Sequence, residues 1–310
     1  MHKIQAIPMR AAAFDTPGGP EALQLIDLEP PEAGPGELRV RVAAAGVQAY
    51  DCAVRGGWTP PGQTIRHPQI VGNDFSGTVD QVGEGVAGLS VGDEVLGWAL
   101  LSCYAEQLAV PAEQVVRKPE SMPWEVAGAL SASAQTAHTA LEELAVGEGD
   151  TLLVHAAAGG VGTIAVQLAR LRGAIAIGTA SARNHDYLRS LGATPVEYGD
   201  GLVERVRALA PDGVDAALDG IGGPALDASV VLVSDRQRIG TLVDFARVDE
   251  LGVRAIFSQR SAARLAEIVD LHATGRLHVE ISNSYPLADS ADAQRELEAG
   301  HVRGKVVVIP

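Results

Sequence analysis

Small residues at fixed spacing are the first groups in this chain with chemistry to offer. In Thr151-Leu-Leu-Val-His-Ala-Ala-Ala-Gly-Gly-Val-Gly162 the apolar run Leu152 to Val154 leads into a turn of small residues, Ala156 to Gly162. Val161, Ile164, Ala165, Leu168 and Ala169 then recur at helical spacing. Strand, glycine turn and helix form the context of a dinucleotide-binding fingerprint, here with Ala157, Gly159 and Gly162 in its three glycine places. A side chain at Gly159 or Gly160 would hold a pyrophosphate off the backbone, whereas Gly162 lets the helix lie close to its strand. The amides of Ala158, Gly159, Gly160 and Val161 stand at the helix start, where free N–H groups attract phosphate charge.

A glycine turn alone is as readily a tight turn and nothing more. The residues downstream of it decide between the two. Ala174 to Gly178, Val196 to Tyr198, Val214 to Leu218 and Ile239 to Val243 read as short buried strands. Helical stretches at Arg183 to Leu191 and Leu202 to Leu209 lie between them, and Gly192 stands where a helix-ending glycine is expected. Strands alternating with helices in this way predict an α/β fold with a doubly wound parallel sheet. Ligands of such sheets sit at the carboxyl ends of the strands. That places Asp219, Gly220 and Ile221 by the adenosine side, and Gly240, Thr241 and Leu242 by the reacting ring. Phe257 and Ser258, after a further apolar strand, would bracket that ring's carboxamide. Tyr198 has two open readings: a face for adenine, or a structural strand-end aromatic.

Residues 9 to 118 have another texture. Short strands punctuated by Gly and Pro, among them Ala11 to Phe14, Leu23 to Asp27, Glu37 to Ala44, Gly77 to Gln81, Glu94 to Trp98 and Tyr104 to Val110, predict a small β-barrel. A helix from Trp124 to Leu144 bridges to the nucleotide fold. Past Gln259 come two helices and a closing strand, Lys305 to Ile309, expected to return to the first domain. The domain boundaries are therefore set at 1–121, 122–257 and 258–310.

At 310 residues with 46% hydrophobic and 20% charged content, the chain has ample core for two domains. The net charge of −15 argues against nucleic acid or an anionic membrane as a main partner. No apolar run reaches membrane-spanning length, and Met1 to Arg10 lacks a secretory core, so a cytoplasmic location is expected. Met9 reads as a natural start, with residues 1–8 an extension. Cys52 and Cys103 make neither a disulfide framework nor a metal pair.

The order of these motifs resembles the medium-chain dehydrogenase/reductase superfamily, and within it the zinc-independent quinone oxidoreductases. The likeness runs from Met9 to near the C-terminus. It is carried by Ala45-Gly-Val-Gln-Ala-Tyr-Asp51 with Arg55-Gly-Gly57, by Gly72-Asn-Asp-Phe-Ser-Gly77, Val91-Gly-Asp-Glu-Val95, the nucleotide loop His155 to Gly162, and His301-Val-Arg-Gly-Lys-Val-Val-Val308. The resemblance implies a GroES-like, β-rich catalytic domain beside a Rossmann domain, and a homodimer formed along the sheet edge near Gly252 to Phe257. It also implies that Thr136, Gln48 and Lys305 line the coenzyme cleft. Zinc members of the superfamily carry Cys at the place of Gln48, and His-Glu at the place of Asn73-Asp74. Zinc binds through thiolate and imidazole, so no metal is expected here.

NAD enzymes end the second strand with an acid about 20 residues past the glycines. Here that place reads Gly178-Thr-Ala-Ser-Ala-Arg-Asn184, with no acid. Ser181 and Arg183 are suited to a 2′-phosphate, the arginine through charge-assisted hydrogen bonds, so NADPH is the expected coenzyme. The alternative is a plain helix start with Ser181 as its N-cap.

Hydride transfer to a quinone, enone or enoyl thioester builds negative charge on an oxygen, which needs a donor. Tyr50 and Gln48 are the catalytic candidates, with Trp58 lining the pocket of a small electrophile and Asp51 bracing the loop. Relatives often carry Tyr just past the Arg-x-Gly turn and Asn in place of Gln48. Here Trp58 and Thr59 come after the turn, which leaves the acceptor open. Tyr50 equally suits a place in the domain core. The function readings are a quinone or enone reductase, an enoyl reductase on a polyketide-like or thioester intermediate, and a non-catalytic NADPH-binding protein.

Overall fold

Alternating strands and helices between residues 151 and 255 build a six-stranded, wholly parallel sheet in the computed structural model, which describes residues 7–310. Residues 1–6, part of the expected extension, lie outside the described residues. The chain divides into two units. One holds the chain up to Ala132 together with Ser261–Ala273 and Ile281–Pro310; the other holds Ser133–Arg260 and Thr274–Glu280.

In the second unit the strands stand in the order Thr194–Val196, Ile175–Thr179, Thr151–Val154, Ala216–Asp219, Ile239–Thr241, Arg254–Ala255. Every pairing is parallel. The first strand formed, Thr151–Val154, lies in the middle, and the winding direction reverses between it and Ala216–Asp219. That is the switch point where such sheets bind ligands. Leu153, Ile177, Val206, Ala217, Leu226 and Ile239 form the core. Parallel neighbours need crossover connections, and the helices between these strands supply them.

Several strands are shifted from the sequence expectation, and one shift moves a candidate residue. The third strand is Thr194–Val196, so Tyr198 stands beyond its end. The chain turns there because Gly199 and Gly201 take φ values of 92° and 76°, a region closed to most side chains.

The first unit is β-rich. A seven-stranded sheet contains Ile281–Pro286, Lys305–Ile309, Glu37–Gly46, Asp74–Val82, Glu94–Trp98 and Val115–Arg117 in order of pairing, with Gln107–Pro111 also on Glu37–Gly46. A three-stranded sheet of Gln24–Leu28, Met9–Phe14 and Gln69–Ile70 accompanies it. Leu38, Val40, Phe75, Val95, Tyr104 and Leu108 are buried in its core. The closing strand does return to this sheet, with Val307 opposite Gly46 and Val308 opposite Ala45.

A short helix, Ala49–Arg55, interrupts the strands where periodicity gave no sign of it. The Asp51 carboxylate caps its start, accepting from the Gln48 amide at 3.0 Å, while the Asp51 amide donates to the Gln48 carbonyl at 3.0 Å. Among the described residues no helix is long and apolar enough to cross a membrane.

Candidate functional site

The nucleotide loop leaves the strand Thr151–Val154 and enters the helix Gly160–Leu171, whose N-cap is Gly159. The two flanking glycines do different work. A Cβ on Gly162 would lie 2.4 Å from the Ala156 carbonyl oxygen and 2.6 Å from the Ala157 Cα, so glycine is what lets helix and turn touch. A Cβ on Gly159 would meet only the Ala156 oxygen, at 3.3 Å. Packing makes little demand there, and what glycine preserves is access to the backbone. Gly159, Gly160 and Val161 are half-exposed, and Ala158 is buried behind them. The first-turn amides have no acceptor within the helix, and the helix dipole adds partial positive charge. Open backbone and free amides together fit a pyrophosphate, so the residues fit the coenzyme the fold implies.

Beneath the loop lies a polar net that the sequence did not disclose. His155 Nε2 pairs with Ser229 Oγ at 2.9 Å, and Nδ1 lies 3.4 Å from Thr179 Oγ1. Burial pushes the His155 imidazole down to about 4, against the pull of Asp219, so the ring is neutral at pH 7. Asp219 accepts from the Ile221 amide at 3.0 Å, from the Gly222 amide at 2.9 Å, and from Thr241 Oγ1 at 2.7 Å. Thr241 Oγ1 accepts in turn from the amides of Val243 and Asp244. Asp219 and Thr241 were expected beside the coenzyme; both are fully buried. Their side chains hold the loops that carry Gly220, Ile221 and Leu242. Gly240 is likewise inside the strand Ile239–Thr241.

At the outer strands, Ser181 occupies the N-cap position of the turn Ala182–Asn184, yet its hydroxyl makes no cap bond to the backbone. Arg183 is exposed. Thr179 is opposite Val196 in the sheet, so Ser181 and Tyr198 each lie two residues past level strand ends. Tyr198 is 58% exposed. At the other edge Phe257 stacks on Phe245, with ring centroids 5.0 Å apart, and the Ser258 hydroxyl is buried with no hydrogen-bond partner. Thr136 is half-buried on the helix Trp124–Glu143. In this unit, then, the candidates on the strands and on the turns that follow them lie at the carboxyl ends of the sheet, and Thr136 lies on a helix.

The first unit has its own cluster, centred on two fully buried carboxyl groups, Asp51 and Asp74. Gln48 Nε2 donates to both Asp74 oxygens, at 2.8 and 3.1 Å, and the Ala132 amide donates to Asp74 Oδ2 at 2.9 Å. Asp51 accepts from the amides of Gln48 and Gly72 and from the Tyr104 hydroxyl. Burial, reinforced by the nearby Asp74, raises the Asp51 carboxyl from 3.8 to about 7. The Gln48 and Gly72 amides and Lys305 oppose that rise only in part. Lys305 is buried as well, donating to the Val47 carbonyl at 2.7 Å. The Gln48 carboxamide therefore braces the Asp74 carboxylate with its nitrogen. Thiolate and imidazole, the donors zinc prefers, are missing from the cluster, so its residues do not fit that metal. Tyr50 meets Trp58 edge-on at 5.3 Å and packs against the core with the rest of its ring, while Trp58 is 42% exposed.

Comparison with known proteins identifies the family. Residues 34–120 match the alcohol dehydrogenase GroES-like domain, and residues 191–308 match the zinc-binding dehydrogenase family. A quinone oxidoreductase of Pseudomonas aeruginosa is 31% identical, over 96% of this chain and 98% of its own length. A 2-haloacrylate reductase from a Burkholderia species is 30% identical over 97% and 98%. A mycocerosic acid synthase-like polyketide synthase of Mycobacterium tuberculosis is 32% identical over 94% of this chain, which spans 15% of that much longer protein. The crystal structure of Escherichia coli quinone oxidoreductase complexed with NADPH superimposes with a TM-score of 0.86 at 26% identity, covering 97% of this chain and all of that one. With its GroES-like unit, its parallel nucleotide-binding sheet and full-length relatives of this kind, the chain belongs to the medium-chain dehydrogenase/reductase superfamily, in the quinone oxidoreductase-like branch.

Proposed function

We propose that this oxidoreductase uses NADPH, without zinc, to reduce a small quinone or α,β-unsaturated carbonyl compound. One observation carries the choice of acceptor. The residue at the place of the zinc relatives' cysteine, Gln48, spends its carboxamide nitrogen on the Asp74 carboxylate. Oxidising an alcohol needs a Lewis acid or strong base to draw off the hydroxyl proton. Conjugate reduction needs a hydrogen-bond donor for an oxyanion that forms several bonds from the attacked carbon, and a proton for the resulting enolate, which a hydroxyl or solvent water can deliver. The side chains here supply the second requirement and not the first.

When bound, NADPH supplies the hydride. The amides of Gly160 and Val161 hold the pyrophosphate, with Gly159 leaving the approach open. Ser181 and Arg183 take the 2′-phosphate, and no acid stands there to repel it. Loops carrying Ile221 and Leu242 are pinned from below by Asp219 and Thr241. In the first unit the Asp51–Gln48–Asp74 cluster fixes the segment that bears Tyr50, whose hydroxyl donates to the acceptor oxygen. Trp58 offers an apolar wall. Likeness to a segment of a polyketide synthase favours a second reading, reduction of an enoyl thioester. Two copies joined along the edge strand Arg254–Ala255 belong to the same proposal.

Following NADPH absorbance with quinones, enones and enoyl thioesters separates the readings. Turnover of quinones or enones is the expected result. Turnover of the thioesters alone would select the second reading. NADPH binding with flat traces across the panel would leave a coenzyme-binding protein with no reductase activity.

A further inference from the structure

An arginine outside every motif holds an exposed aromatic at one edge of the parallel sheet. Arg205 lies in the first turn of the helix Leu202–Leu209 and folds back over the preceding turn. Its Nε and Nη2 donate to the Glu197 carbonyl at 3.2 and 2.9 Å. Nη2 also reaches the carbonyls of Tyr198 and Gly199, at 3.4 and 3.3 Å, and Nη1 donates to the Asp200 carbonyl at 2.7 Å. One guanidinium thus collects four successive carbonyls. All four residues are exposed, so this clamp stabilises no core packing. Its effect is to give one shape to a turn whose two glycines would otherwise leave it loose. The planar fork of an arginine is suited to this, and a lysine ammonium is not.

The turn carries Tyr198, which follows the strand Thr194–Val196 by two residues, as Ser181 follows its parallel neighbour Ile175–Thr179 by two. The Ala180 amide bonds to the Val196 carbonyl at 3.0 Å, tying the two strand exits together. A solvent-facing ring on a clamped turn, at the same end of the sheet as the turn proposed to take the 2′-phosphate, is suited to stacking on a purine. We propose that Arg205 is a positioning residue for the coenzyme, locking the Glu197–Asp200 turn so that the Tyr198 ring presents a fixed face to the adenine. This rests on the reading of the second unit as the NADPH-binding part.

The test is a double-mutant cycle on binding, by titration of the intact protein with NADPH, 2′,5′-ADP and reduced nicotinamide mononucleotide. Arg205→Ala is expected to raise the dissociation constants of the two adenine-containing ligands roughly tenfold. That of the mononucleotide and kcat at saturating NADPH stay unchanged. Arg205→Lys, which keeps the charge and loses the fork, is expected to behave like Arg205→Ala. In a Tyr198→Ala background, Arg205→Ala should add less than about twofold. Full additivity of the two changes would overturn the proposal, as would wild-type affinity in Arg205→Lys, which would leave charge alone as the cause. If the unaltered protein binds neither NADPH nor 2′,5′-ADP, the reading beneath it falls too; if it binds both and the cycle is additive, only the role of Arg205 is lost.

Discussion

The two units prepare for a ligand by different means. In the second, the proposed binding falls to the main chain: glycines clear a path, a helix start offers amides, and the buried Asp219 and Thr241 side chains hold the loops from below. In the first, the proposed role falls to side chains, and they are braced by one another. Gln48, Asp51, Asp74, Tyr104 and Lys305 come from sequence positions 48 to 305 and meet in one buried polar cluster. A backbone site tolerates change in its side chains and fails when a Cβ appears. A side-chain cluster fails when one charge or donor changes.

The largest effect expected is on the first unit's cluster. Burial holds the Asp51 carboxyl near 7, against 3.8 without it. Between those values the folded chain keeps a proton that the unfolded chain gives up. The contribution is thus fully present below the lower value and is lost as pH rises through the upper one. Asp51→Asn mimics the protonated group at every pH. Denaturant unfolding should show the wild type losing roughly 3 kcal/mol relative to Asp51→Asn between about pH 5 and 8.5. A constant difference across that range would mean that Asp51 is ionised in the fold.

Next in size is a contrast within the nucleotide loop. Gly162→Ala drives a Cβ into the Ala156 backbone and should cost about 1–3 kcal/mol of stability. Gly159→Ala should leave thermal unfolding nearly unchanged while weakening NADPH binding roughly tenfold. Equal losses of stability in both would show that Gly159, too, is a packing glycine.

That loop was legible in the sequence because its chemistry lies in residue spacing. Only glycine satisfies Gly162, and a local pattern reports it. Parallel order followed equally well, since alternating strands and helices leave little choice of topology. What stayed hidden is long-range. Nothing near Gln48 shows that Asp74 takes its amide, and the helix Ala49–Arg55 is too short for its periodicity to stand out. Asp219 and Thr241 were placed at the right strand ends. Their inward turn depends on amides and hydroxyls of the neighbouring strand, which only the fold brings within reach. Tyr198 was read as strand because an aromatic beside a valine favours one, and the turn made by Gly199, Gly201 and Arg205 overrode that preference.

Charge at the 2′-phosphate comes third. Arg183→Ala should raise the Michaelis constant for NADPH roughly tenfold while leaving that for NADH nearly unchanged, since only the phosphorylated coenzyme has a group for the guanidinium. Equal changes for both coenzymes would move phosphate selection away from Arg183.

The smallest effect tests whether the division of labour is real. Trp58 lies edge-on to Tyr50, and 42% of it is open to solvent, so truncation removes a ring contact without opening a closed core. Trp58→Ala should cost about 0.5–1.5 kcal/mol, the range of an aromatic pair. Its signature is more telling than its size. If the first unit serves the acceptor, kcat/KM for the acceptor falls by roughly two- to tenfold while the dissociation constant for NADPH holds still. Arg183→Ala has the opposite pattern, a coenzyme effect with the acceptor untouched. A loss of NADPH affinity in Trp58→Ala would join the two sets of residues in a single binding function, because removing a wall from an acceptor pocket gives the coenzyme no reason to leave.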